Sequence, residues 1–349
     1  MSSLATGAID IAEAAYDLEV GAADWLARVL EAGRQTFDLG LGAAAVLMSG
    51  TSPGGEPLVT QLIPGTAQPG LYSALIRAAQ QVGPDMVQQT VDAIAGGVNV
   101  LSEDQERRPA VYEAIRRNVG CEDFLSLWAL DPDFHGVNIP IPSPKAIRLS
   151  KRARDHWRML AIHITAAHRL RRGLMEPTSV RGIAPTDMPL NAEALLDPKS
   201  FRVSQATGGA RDKEASETIR DAAVRLDKAR SKLREADPER ALETWQGLVR
   251  GRWSLLDWFD TDGRRFVIAK PNAPSIGDPR GLTEREAQVV TYAALGESGK
   301  IIGYRFGLST STVSSLLMSA MRKLGVTSQA QLVEKMRGFP PASAVSTPD

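Results

Sequence analysis

The side chains with the clearest chemical purpose lie toward the C-terminus, where hydroxyls and cations recur at helical spacing. Thr310, Ser311, Thr312, Ser314 and Ser315 crowd one stretch, Met318 and Arg322 continue it, and Lys300 and Lys323 flank it. Hydroxyls donate to and accept from polar edges, and ammonium groups pair with anions. The chemistry is recognition, not bond making. Elsewhere no nucleophile has a nameable base and no phosphate-cradling loop occurs. A single cysteine, Cys121, with four histidines leaves no zinc spacing and no intramolecular disulfide. The sequence therefore predicts no enzyme, no metal and no cofactor.

Four short helical signals must position those groups. Thr283 is placed to cap the first, with Glu286 completing a capping box and Leu282 stapling the entry. Val289, Val290 and Ala293 share one face, and Gly296 suits a left-handed stop. Ser298 caps a second helix bearing Ile301, Ile302 and Phe306, and Gly307-Leu308 makes a tight corner. Ser309 or Thr310 starts a third, whose apolar stripe runs Val313, Leu316, Leu317, Ala320, Met321 and Leu324 to a stop at Gly325. A fourth, about Ser328–Met336, offers Ala330, Leu332, Val333 and Met336 to a core. Short helices joined at a glycine corner have helix-turn-helix geometry, although a generic four-helix unit shares the pattern. Spacing puts Thr310, Ser311, Ser314, Ser315, Met318 and Arg322 outward on the third helix.

The motifs Leu282-Thr283-Glu284-Arg285-Glu286, Ala294-Leu295-Gly296-Glu297-Ser298-Gly299-Lys300, Gly307-Leu308-Ser309, Ser311-Thr312-Val313 and Lys323-Leu324-Gly325-Val326 follow one another without a break. They resemble the C-terminal DNA-binding domain of LuxR-type transcription regulators. The resemblance implies double-stranded DNA as a partner, phosphate contacts at Lys300, Thr312 and Lys323, a core role for Val313, and base reading on the outward face of the third helix. It also implies homodimerisation on DNA through the fourth helix, with Gln331, Leu332 and Lys335 as candidates. This chain departs from the family in having Ser314 where a cation is common and Leu316 where histidine is common. Ile301 replaces a usual acid and Gly303 a usual alanine.

Charge agrees with a local reader on a neutral carrier. Residues 281–338 hold seven cations against four acids, net +3, whereas the whole chain balances 41 of each sign. Such balance excludes a general nucleic-acid coat protein, since non-specific affinity requires phosphate neutralisation. A second basic stretch, residues 145–181, carries net +8 and fits a solvated helix face best, with DNA support or pairing with the acidic 212–243 as alternatives. The N-terminus lacks a basic, then apolar, leader, and eighteen apolar residues never run together. A soluble, cytoplasmic protein without membrane contact is expected.

The upstream chain reads as α+β. Strands at 43–48 and 58–63 flank a Ser-Gly-Thr-Ser-Pro-Gly-Gly turn; helices follow at 71–79, 85–94 and 103–118, then strands at 123–130 and 136–141, then a long helix from Ser150. Hairpin, helices, hairpin, helix is an order similar to GAF and PAS sensor domains. It partly recurs after the proline-rich 177–189: strands at 195–197 and 201–204, helices at 212–234 and 238–250, and a hairpin of 253–259 with 264–269 across Asp260-Thr261-Asp262-Gly263. Ile219, Leu226 and Leu233 recur at heptad spacing, so a helical connector competes with a second PAS-like domain there.

The resulting division is a GAF/PAS-like antiparallel-sheet sensor at 1–176, a linker at 177–190, a PAS-like or connector domain at 191–275, an all-α helix-turn-helix at 280–338 and a disordered tail at 339–349. Met48 runs into Ser49-Gly50-Thr51, which lacks the acidic pair of a phosphorylation receiver. Trp25, Tyr72, Tyr112 and Trp128 suit a core better than a cavity, and an unidentified small-molecule or protein effector is left without a site. The leading reading is a DNA-binding transcription regulator controlled by its upstream domains; the alternative is a non-enzymatic interaction adaptor retaining the fold with little DNA affinity.

Overall fold

The computed structural model describes residues 4–18, 21–51, 57–83, 97–131, 134–175, 186–245, 247–249, 252–272 and 282–337. The expected helix at 85–94 and the tail at 339–349 lie outside them. The chain forms two compact units, Met1–Arg169 and Leu170–Asp349.

The first unit opens with α1 (Leu4–Ala15), α2 (Ala22–Ala32) and α3 (Arg34–Phe37). Strands β1 (Ala45–Thr51) and β2 (Pro57–Ile63) lead to α4 (Leu71–Val82), then β3 (Val98–Val100), α5 (Pro109–Val119), β4 (Asp123–Leu130), β5 (His135–Ser143) and α6 (Lys151–Met175). The strands make one five-stranded sheet in the order β2-β1-β5-β4-β3, and every described pairing is antiparallel. Leu125, Leu127 and Ala129 on β4 and Val137, Ile139 and Ile141 on β5 alternate onto one face, where Trp25 and Leu26 of α2 and Trp157, Leu160 and Ile164 of α6 cover them. Phe124 points the other way, into Leu71, Ala78, Val111 and Ile115 of α4 and α5. Both faces are therefore covered, which is why β4 reads as a nearly unbroken apolar run.

The expected helix at 103–118 divides into a tight turn at Leu101–Asp104 and α5, because Pro109 occupies the first helical position and fixes the start. Buried Asp123 ties that turn to the sheet, accepting from Ser102 N at 3.0 Å, Ser102 Oγ at 2.7 Å and Ile147 N at 2.8 Å. Trp25 and Tyr112 are core residues, while Tyr72 and Trp128 pack against Val46, Met48 and Leu130.

The second unit repeats the plan. Strands β6 (Ala194–Leu196) and β7 (Val203–Ala206) precede α7 (Lys213–Arg230), α8 (Lys232–Ala236) and α9 (Pro238–Thr244). Then come β8 (Leu248–Val249), β9 (Trp253–Phe259) and β10 (Arg265–Pro271), in the order β7-β6-β10-β9-β8. Each sheet thus sets its closing hairpin beside its opening one. The expected 212–234 helix breaks at Ser231, and the expected 238–250 helix stops at Thr244 so that β8 can pair with β9. Ile219, Ala222, Ala223, Leu226 and Ala229 are buried, and α7 lies against β8, β9 and α9. Ile219 and Leu226 of the heptad series are buried in the domain's own core, while Leu233, on α8, is half-buried.

Four helices complete the unit: α10 (Glu284–Ala294), α11 (Gly299–Phe306), α12 (Thr310–Leu324) and α13 (Gln329–Arg337). The fold class is α+β, with two antiparallel sheets and an all-α C-terminal region.

Candidate nucleic-acid interface

Local capping chemistry builds the C-terminal module. Thr283 Oγ1 accepts from Glu286 N at 3.3 Å while Glu286 Oε2 accepts from Thr283 N at 2.8 Å, completing the reciprocal box that starts α10. Ser298 and Ser309 cap α11 and α12 through Ile301 N and Thr312 N. The left-handed residue after α11 is Gly307, at φ 64°. At Gly303 a Cβ would lie 2.6 Å from the Leu308 carbonyl, and the Leu308 N–H donates to the Gly303 carbonyl at 2.8 Å. The departure from alanine here accompanies an especially close corner.

Val289, Val290, Ile302, Phe306, Val313, Ala320, Leu324 and Leu332 form the module's core. Leu316 packs against it, so the position where a histidine is common serves packing. Tyr292 meets Phe306 edge-on at 5.5 Å and carries the Arg305 guanidinium 4.0 Å above its ring centre. Arg305 also grips Glu297, with Nε to Oε2 at 3.2 Å, and both side chains are buried. One of the seven counted cations therefore faces inward and adds nothing to an outward field.

The hydroxyl face meets water. Thr310, Ser311, Thr312, Ser314, Ser315, Met318 and Arg322 are exposed on α12, Met318 at 63%. Ser309 Oγ lies 2.8 Å from both Ser311 Oγ and Thr312 Oγ1. Ser314 donates to the Thr310 carbonyl and Ser315 to the Ser311 carbonyl, each at 3.0 Å.

Both flanking lysines are engaged. Lys323 Nζ bonds to Glu286 Oε2 at 2.6 Å and Ser319 Oγ to Glu286 Oε1 at 2.6 Å, tying α12 to α10. The Lys323 bond first, then those from Ser319 and Thr283, hold the buried Glu286 carboxyl down to about 2. Lys300 Nζ lies 3.4 Å from Glu243 Oε1 on α9, and Tyr304, one turn along α11, donates its hydroxyl to the Leu242 carbonyl at 2.7 Å. The sheet domain and the helical module thus touch at a residue expected to meet phosphate.

On α13, Gln331 is exposed and its Oε1 accepts from Thr327 N at 2.8 Å, whereas Lys335 donates to the Leu324 carbonyl. Leu332 is wholly buried in the core. It belongs to the monomer's packing and presents no surface for a seam.

Three arginines of the basic segment have acidic partners. Arg154 pairs with Glu103, Arg158 with Asp155 at 3.8 Å, and Arg169 with Asp131 at 3.6 Å. Burial pushes the Cys121 thiol up to about 11, which opposes a nucleophilic thiolate.

Residues 280–336 match the family described as GerE, bacterial regulatory proteins, luxR family. The match is confined to the capped helical module. No curated protein and no solved structure matches the chain. The C-terminal region is therefore similar to a family of DNA-binding regulators, and that family is regulatory, not catalytic. Among the described residues no helix is long and apolar enough to cross a membrane.

Proposed function

We propose that this chain is a transcription regulator whose upstream domains control a C-terminal reader of double-stranded DNA. The observation that carries the reading is the Lys300–Glu243 and Tyr304–Leu242 contact, which links the second sheet domain to α11 on the face where phosphate is expected. Occupied by Glu243, the Lys300 ammonium has to exchange one anionic partner for another when DNA arrives. Whatever shifts α9 then shifts DNA affinity. An exposed pair of this kind contributes about 0.2–1 kcal/mol, so the control is graded.

Residue roles follow from position. Lys300, Thr312 and Lys323 set the module on the backbone, and Thr310, Ser311, Ser314, Ser315, Met318 and Arg322 read base edges from α12. Gln331 and Lys335 line a homodimer seam on DNA, with Leu332 supporting them from inside. The domains divide at 1–176, 177–190, 191–275 and 280–338. GAF/PAS-like character is supported by the repeated sheet order, and an effector acting through either sheet domain fits it. A DNA reader shares the compartment of its DNA, which favours the cytoplasm.

The test is selection of sites from randomised duplex DNA by the full-length protein across a range of salt. A reproducible paired site supports regulation. Failure to enrich any sequence at every salt concentration would favour the adaptor reading, to which the uncharged stretch Thr310–Ala320 also lends itself.

A further inference from the structure

We infer that the reading helix selects A·T pairs at the centre of each half-site, through hydroxyl acceptors at Ser314 and Ser315 and the side chain of Met318. The inference rests on the DNA-reading function proposed above and names the base chemistry it recognises.

A serine hydroxyl has one donor and two acceptor lone pairs. In α12 the donors of Ser314 and Ser315 are engaged by the Thr310 and Ser311 carbonyls, each at 3.0 Å. What these exposed side chains offer outward is acceptor capacity. In the major groove the amino donors that fit are adenine N6 and cytosine N4, whereas guanine shows only the acceptors N7 and O6. Guanine is read best by a bidentate cation, and α12 carries none before Arg322.

Met318 decides between adenine and cytosine. It is 63% exposed, four residues after Ser314 and three after Ser315, so it extends the same face by one turn. An unpaired apolar side chain there matches the thymine methyl, the one apolar group a base pair displays in that groove. An A·T pair meets both demands, with its amino donor at a serine and its methyl at Met318. A C·G pair offers the donor, but it lacks the methyl and leaves guanine acceptors unmatched.

The experiment uses the full-length protein and duplex selected from a random pool, followed by atom-level changes in the winning site. Central A·T pairs are expected. Replacing a central thymine by deoxyuridine removes only its methyl and should weaken binding about fourfold. That loss should vanish in Met318→Ala. Ser314→Ala and Ser315→Ala should each reduce preference for adenine over guanine about two- to tenfold, without loss of helical signal because alanine favours helix. A selected G·C centre, or a deoxyuridine penalty unchanged in Met318→Ala, would overturn the inference while leaving DNA reading intact. No selected site at all would overturn DNA reading and the inference with it.

Discussion

The two sheets share a strand order and differ in what lies beyond them. In the first unit, α2 and α6 cover one face and α4 and α5 pack on the other. In the second, the helices between the two hairpins pack on the sheet and also reach outward, where the end of α9 presents Glu243 and the Leu242 carbonyl to α11. The same topology thus carries, in the second unit, an added polar contact to the helical module, the one proposed above to govern DNA affinity. The difference rests on a few polar groups, since the apolar cores of both domains are built by the same alternation.

Removing a large core residue from each domain probes that contrast most strongly. Trp157→Ala should cost about 3–5 kcal/mol by urea unfolding and leave the DNA affinity of folded protein unchanged. Trp245→Ala removes the buried residue capping α9, which stacks beneath Arg230 at 4.7 Å, and should cost similar stability while raising DNA affinity. Equal affinity changes in the two variants would erase the contrast.

Glu286→Ala should come next, at about 2 kcal/mol, because it breaks the capping box and the tie from α10 to Ser319 and Lys323. Its carboxyl is depressed to about 2, so the stability it contributes is present above the ordinary carboxylate range, near pH 4.5, and is lost as pH falls toward 2. Denaturant titration of the wild type and Glu286→Gln should converge at the acid end.

The first unit should be sensitive at milder acidity. Burial pushes His163 down to about 3 from the usual 6.5, so the unfolded chain binds the extra proton between those values. Stability from keeping it neutral is complete above about pH 6.5 and declines as pH falls toward 3. His163→Phe should flatten that part of the stability–pH curve; a slope identical to wild type would show that other groups set it.

What was legible in the sequence follows the range of the forces. Thr283, Glu286, Ser298, Ser309 and Gly307 act within four residues of themselves, so the caps and corner could be read directly. The hairpins announced themselves by alternation and by the Asp-Gly turn. The short strands β3 and β8 hold too few residues to display a period. Pairs that cross elements were invisible. Lys300 meets Glu243 from 57 positions away and Lys323 meets Glu286 from 37, so both lysines looked like free phosphate ligands. Leu332 was ambiguous because helical spacing marks an apolar position without saying whether its own domain or a second copy covers it.

We propose that the second sheet domain restrains the reader by engaging Lys300. The direct measurement is the affinity of full-length protein for its selected duplex in a double-mutant cycle of Glu243→Gln and Lys300→Ala. Glu243→Gln alone should raise affinity about two- to fivefold, and in the Lys300→Ala background it should change nothing. Glu243→Gln without effect in the wild-type background, while Lys300→Ala still weakens binding, would show that Lys300 meets DNA unrestrained and would contradict the claim.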